Sequence, residues 1–299
     1  MNSLKKIIKS NKKIYSVAYN ILSSFSKFVM TPLIFLEMTL NLVKMFFNKK
    51  VKLNRAHFFS SDIKNKIFKK LISQQINKFR KNKKDKDNFV LIEIGSLIGA
   101  SIEIWGNELN RKIKNFTIIS IDPFEDYVNQ NEKKKYKSLQ VRSNNTNKLY
   151  KYFLHNNSLL DYRKNIIHIR DYSKNGLQRL LRLRIKSDFI YIDGAHDYKN
   201  VKEDLRLSKK LIHKSKKYKG TICGDDHYVT DNEYKKFGLS KKEFLNLLNK
   251  NKQKELITLS TKWRGQFQNI DFHPGIAYLF AKSKDTFFQL KDGLWKLKM

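Results

Sequence analysis

The stretch Phe89-Val-Leu-Ile-Glu-Ile-Gly-Ser-Leu-Ile-Gly-Ala-Ser101 decides how this chain folds. Five of its first six residues are apolar, the pattern of a strand buried on both faces of a parallel sheet. The strand carries Glu93 near its end and runs into Gly95, with Ser96, Gly99 and Ser101 just beyond. Glycine lets the backbone turn sharply and approach a ligand where a Cβ would stand in the way. Ile102 to Leu109 follow with a helical pattern, so a helix N-terminus faces the turn. Strand, glycine turn and helix N-terminus together make a nucleotide-type cofactor site in doubly wound α/β proteins.

Downstream, short apolar runs alternate with helical patterns. The runs are Phe89–Ile94, Phe116–Ile121, Asn165–Ile169, Asp188–Ile192 and Gly220–Gly224. Between and after them lie helical segments at Leu177–Leu183, Val201–His213 and Lys241–Leu248. This rhythm predicts a Rossmann-like, doubly wound, mainly parallel α/β sheet. Glu255–Ser260 and Gly275–Ala281 follow without a helix between them and would complete seven strands, the last antiparallel at the sheet edge. The domain is expected over residues 88–285, with a tail at 286–299.

Acids at the strand ends carry the chemistry. The second strand closes on Asp122-Pro-Phe124, where a carboxylate can accept hydrogen bonds from ribose hydroxyls. That feature fits a dinucleotide or S-adenosylmethionine (SAM). The glycine pattern separates them: it is Glu93-x-Gly95-x-x-x-Gly99-x-Ser101, not GxGxxG, and SAM has no diphosphate to cradle. The fourth strand ends in Asp193-Gly-Ala-His196 and the fifth in Asp225-Asp226-His227. Those strands neighbour each other in a doubly wound sheet, so Asp193, Asp225 and Asp226 converge beside the cofactor. Like charges so close call for a cation, and hard oxygen ligands suit Mg²⁺. The alternative for these acids is helix capping and solvated turns. His168 lies inside a strand segment and reads as structural, and His227 is a rival base or extra ligand.

Glu93 to Ser101, Ile121 to Phe124, Phe189 to Tyr198 and Gly220 to His227 together resemble the class I SAM-dependent methyltransferases. Within these the chain is most similar to the metal-dependent O-methyltransferases of the macrocin and catechol type. The resemblance covers roughly Asn88 to Ala281. It implies that Glu93, Gly95, Ser96, Gly99 and Ser101 form the loop around the methionine part of the cofactor. It places Asp122 at the ribose and Phe124 near the adenine. Asp193, Asp225 and Asp226 fall at the family's metal ligands, with Asp226 where the catechol enzymes carry Asn. His196 falls where they carry a lysine base, and imidazole suits that role near neutral pH. The implied activity is methyl transfer to a hydroxyl of a small polar acceptor or glycan, with Asp193 and His196 as the catalytic pair. Competing readings are a nucleic-acid methyltransferase, a relative of the cephalosporin hydroxylases, and a binding protein that keeps the fold without turnover.

Composition sets the remaining bounds. The 299 residues are 40% apolar, which suits one core with an appendage. Cys223 is the single cysteine, so no intramolecular disulfide and no CxxC zinc site can form, and a reducing, cytoplasmic setting is expected. The net charge of +35 favours anionic partners, although the lysines are spread along the chain as AT-rich coding would leave them. The first 50 residues differ in texture from the rest. Lysines flank an apolar segment from Ile14 to Phe47, interrupted by Pro32, Glu37, Asn41 and Lys44. That pattern is a poor transmembrane span and suits an arm lying peripherally on the inner face of a membrane, or packed on the domain or on a second subunit. Residues 51–87 read as a basic helix, Ile63 to Phe79, and a charged linker.

Overall fold

The computed structural model describes residues 36, 39–51, 62–84, 86–124, 146–225, 242, 276, 279–280, 283–290 and 293–299. Its seven strands are β1 (Phe89–Ile94), β2 (Phe116–Ile121), β3 (Ile166–Ile169), β4 (Phe189–Ile192), β5 (Thr221–Gly224), β6 (Phe287–Gln289) and β7 (Trp295–Leu297). They form one sheet in the order β3-β2-β1-β4-β5-β7-β6. The first five are parallel, and β7 runs antiparallel to both β5 and β6. Among the described residues, the longer helices are α1 (Asp62–Asn82), α2 (Ala100–Lys112), α3 (Thr146–Ser158), α4 (Ser173–Arg182) and α5 (Tyr198–Leu211). The expected Rossmann-like doubly wound sheet is present, and strand order reverses between β1 and β4, where such sheets bind their ligands.

Strand periodicity sorts the core into two layers. Phe89 and Leu91 of β1, with Phe116, Ile118, Phe189, Tyr191 and Cys223, face α1, α2 and α3. Ile92 and Ile94, with Ile119, Ile121, Ile190, Ile192 and Ile222, face α4 and α5. Burial on both faces explains why these strands read as continuous apolar runs.

Three boundary expectations change. Residues 286–299, read as a tail, contribute β6 and β7, with Trp295 and Leu297 buried in the second layer. Gly275–Ala281, read as a strand, contains Ile276, Leu279 and Phe280 in helical conformation, with Ile276 and Leu279 buried. Their i, i+3, i+4 spacing is helical, and a short apolar run does not by itself distinguish the two states. Glu255–Ser260 lies outside the described residues, as does all of Lys241–Leu248 except Lys242, which is helical.

The third change concerns residues 62–82. The helix read as part of a separate basic segment packs into the first layer through Phe68, Ile72, Ile76 and Phe79. Its Gln75 amide donates to Tyr218 Oη (2.9 Å) and accepts from Thr221 Oγ1 (2.8 Å), which ties α1 to the start of β5. The lysines of α1 other than Lys64 line its outer face, opposite the apolar stripe.

Candidate cofactor and acceptor site

Register places Ser120, Glu93, Tyr191 and Cys223 in one row across β2, β1, β4 and β5, on the face covered by α1 and α2. The row lies near the C-terminal ends of the parallel strands, where the chain turns out of the sheet. Gly95 takes φ +83°, and a Cβ there would sit 2.0 Å from the carbonyl oxygen of Asp193. The β1 turn and the end of β4 therefore touch backbone to backbone. Gly99, also at φ +83°, caps α2 without a side-chain hydrogen bond.

Glu93 is fully buried beneath this turn. Ser96 Oγ donates to its Oε2 (3.2 Å), and Ser120 Oγ donates to Ser96 Oγ (2.8 Å). Glu93 Oε1 and the indole nitrogen of Trp105 make no hydrogen bond of good geometry among the described residues, although Trp105 and Ser101 lie close enough to favour the charged carboxylate. Burial pushes the Glu93 carboxyl up to about 7, against the pull of Ser101, Trp105 and Ser96, and the Asp122 charge adds to the rise. The folded state thus holds this proton to a higher pH than the unfolded chain does. Stability from Glu93 is full below its ordinary range and is lost as pH rises from about 4.5 to about 7. Glu93→Gln should therefore raise stability at pH 8 by roughly 1–3 kcal/mol and leave it little changed at pH 4. Denaturant melts at the two pH values check this, and an equal change at both would refute the assignment. Buried Asp204 of α5, also pushed up to about 7 by burial, leaves part of the slope in place.

Asp122 is the hub of the adjacent loops. Its Oδ2 accepts from Leu97 N (2.9 Å) and its Oδ1 from Phe124 N (2.7 Å). Leu97 (φ 46°) and Phe124 (φ 54°) both adopt the left-handed region that side chains disfavour. One carboxylate thus holds two strained turns, one after β1 and one after β2. The Ser96 backbone N–H also favours the charged form of this carboxylate. Burial raises its pKa and those backbone donors oppose the rise. Phe124 is 3% exposed, and its ring packs 4.9 Å from that of Phe153 and 5.1 Å from that of Tyr150. That ring belongs to the core beneath α3, which leaves little of it to face an adenine.

Across the strand-order reversal, Tyr191 Oη donates toward both Asp193 Oδ2 (3.2 Å) and Asp225 Oδ2 (3.2 Å). Burial and the two carboxylates hold the phenol well above its usual range, so it stays a donor. Lys64 Nζ of α1 lies 2.5 Å from Asp225 Oδ2, with both side chains buried. Trp295 Nε1 of β7 donates to Asp225 O (3.0 Å), so the C-terminal strand also positions this acid. His196 is half-buried in the loop between β4 and α5. Capping of α5 falls instead to Asp197, whose side chain accepts from Asn200 N (3.1 Å). His168 bonds Tyr150 Oη at 2.6 Å, the structural role expected of it.

The structure therefore brings Asp193 and Asp225 together, as expected, while Asp226 and His227 lie outside the described residues. Among the described residues, no three His, Cys, Asp or Glu side chains group as a metal site. Among the described residues, Asp225 Oδ2 faces an ammonium and a phenol, a set that does not fit a resident Mg²⁺, which wants near-octahedral oxygen ligands. Lys64 and Tyr191 were not read as site residues. Lys64 stands 161 positions before its partner in a lysine-rich helix, so no local signal marks it. Tyr191 could have been found by parity, since it precedes Asp193 by two residues on an alternating strand.

Residues 92–227, a little under half of the chain, match the family model described as "Methyltransferase domain". An uncharacterized protein of Acanthamoeba polyphaga mimivirus is 29% identical over 144 residues. The match spans 48% of this chain and about half, 53%, of that relative. Among solved structures, a SAH-bound methyltransferase of Podospora anserina is similar at 16% identity and a TM-score of 0.38, with 86% of each chain covered. The MycE methyltransferase of the mycinamycin biosynthetic pathway, in complex with Mg, SAH and mycinamycin VI, is similar at 14% identity and a TM-score of 0.36, covering 87% of this chain and 53% of its own.

Proposed function

We propose that the methyltransferase domain of residues 92–227 uses SAM to methylate a hydroxyl of a small polar acceptor, such as a sugar or glycan. The observation that carries this reading is the pairing of two polar clusters across the β1/β4 reversal. On one side stand the glycine turn, the N-terminus of α2, Glu93 and Asp122; on the other stand Tyr191, Asp193, Asp225 and Lys64. The first cluster suits SAM in its donor set: backbone N–H groups for a carboxylate, and acid oxygens for hydroxyl or ammonium donors. Bound there, SAM supplies an electrophilic methyl group on a sulfonium.

The remaining work falls to the chain. Asp122 locks the two turns around the cofactor pocket, and Glu93 braces the β1 turn through Ser96. Asp193 and Asp225, bridged by the Tyr191 hydroxyl, present acceptors to the hydroxyls of the acceptor molecule. Lys64 is the fixed cation that balances Asp225 in the place where the family resemblance implies a metal. His196 takes the proton as the acceptor oxygen bonds to the methyl carbon and the carbon–sulfur bond breaks. Most of the rate then comes from holding the two reactants in line.

Calorimetric titration of SAM tests the reading. Wild type should bind SAM equally with and without Mg²⁺, and Asp122→Asn should weaken binding about tenfold or more, because one strained turn loses its acceptor. A wild-type chain that does not bind SAM would sink the proposal. SAM binding unchanged in Asp122→Asn would remove Asp122 from the pocket.

A further inference from the structure

The described helical residues that precede the domain, at 36 and 39–46, present all their apolar side chains except Met45 outward. Phe46 is 82% and Phe47 63% exposed, and Leu36, Leu40, Leu42 and Val43 are each about half exposed, between 49% and 56%. At 100° per residue, positions 36, 40, 43 and 47 make one stripe, with 42 and 46 beside it. The opposite side is the one turned inward: Asn41 is fully buried, and Met45 packs on the cluster of Val51, Ile98 and Tyr152. Scattered exposed apolar residues are ordinary, but six on one side of a helix and the turn that ends it are a contact surface.

Charge indicates the occupant. Lys49 stands exposed at the C-terminal end of this face, between Lys44, which bonds Asn41, and Lys50, which pairs with Glu103, on a chain of net charge +35. No helix among the described residues is long and apolar enough to cross a membrane. A helix with an apolar outer face and flanking lysines lies in the plane of an anionic lipid interface. We infer that residues 36–47 dock the protein on an anionic bilayer surface. This inference is independent of the reaction proposed above.

The chain fixes how the protein would sit there. Val51 N donates to Asn156 Oδ1 (2.9 Å), and Asn156 Nδ2 donates in turn to Ile98 O (3.0 Å) in the turn after β1. Lys49 O is bonded to His155 Nε2 (2.9 Å), and Lys50 pairs with Glu103 on α2. The lipid-facing helix is thus bolted to α3 and to the glycine turn, at the C-terminal end of β1. Docking would bring that end of the sheet close to the lipid, where an acceptor carried on a lipid or other amphiphile is presented.

Flotation of the full chain with large unilamellar vesicles tests this, using phosphatidylcholine alone and phosphatidylcholine with phosphatidylglycerol. The expected result is binding to the anionic vesicles and at least about tenfold weaker binding by the triple variant Leu40→Ser/Phe46→Ser/Phe47→Ser, which keeps every charge. Circular dichroism should show the variant folded, since all three side chains are exposed. Equal binding by wild type and variant would mean that net charge alone attracts the protein, and would overturn the inference. So would absence of wild-type binding, including the case in which the substitutions instead turn a dimer into a monomer on size exclusion, which would make the face a contact between copies.

Discussion

Gly95→Ala is expected to cost more stability than any other single-methyl addition near the site, about 3–5 kcal/mol, and to abolish SAM binding. The new Cβ would meet Asp193 O at 2.0 Å, Asp193 C at 2.5 Å and Gly194 Cα at 2.8 Å. All three are backbone atoms, so no side chain can swing aside, and relief requires β1 and β4 to part at their ligand-binding ends. The φ of +83° adds a left-handed strain of roughly 1 kcal/mol. Gly99→Ala is the internal control. It shares that φ, but its nearest neighbour is the side-chain oxygen of Asn157 at 3.1 Å, which can move. Its loss should stay near about 1 kcal/mol. Urea midpoints of the two variants decide the matter, and similar losses would show that the contact between the β1 turn and the β4 end is not rigid.

Lys64→Met should cost about 3–5 kcal/mol, because it strands a buried carboxylate without its cation. The Lys64 and Asp225 side chains are only 9% and 6% exposed, so water cannot take over the neutralisation. The phenol of Tyr191 remains, but a neutral donor does not replace a charge. The double variant Lys64→Met/Asp225→Asn removes both charges and should recover much of the loss, and this non-additivity is the signature of a direct pair. Metal adds a second discriminator. If Lys64 stands in for a divalent ion, Mg²⁺ should raise the melting temperature of Lys64→Met and leave wild type unmoved. A Mg²⁺-dependent rise in wild type would return the acids to the role of metal ligands and make Lys64 a packing residue.

The same pair shows where reading a sequence stops. Strands β1, β2, β4 and β5 were legible almost to the residue, because strands buried on both faces leave unbroken apolar runs between glycines and acids. The positions of Glu93, Gly95, Asp122 and Asp193 followed, since a parallel sheet delivers each strand's C-terminal residue to the same edge. Gly275–Ala281 and the 286–299 tail were misread for a local reason: runs of three to six apolar residues carry too few turns to separate periods of 2 and 3.6. The three-residue β6 and β7 are strands only because β5 offers a free edge to pair with.

Lys64, Tyr191 and Trp295 belong to another kind of information. Each reaches the site across the sheet or from its flank, over 161, 34 and 70 residues respectively to Asp225. Nothing in a lysine among 62 basic residues states which one will be buried. That depends on α1 packing its Phe68 and Ile72 against the first layer, which carries Lys64 to the end of β5. Local patterning determined the sheet, the glycine turn and the acids at the strand ends, because those depend on neighbouring residues. The charge partner of Asp225, the role of Phe124 as a core ring and the outward apolar face at 36–47 were decided only by tertiary packing, since burial is a property of what lies across the fold and not of what lies next in the chain.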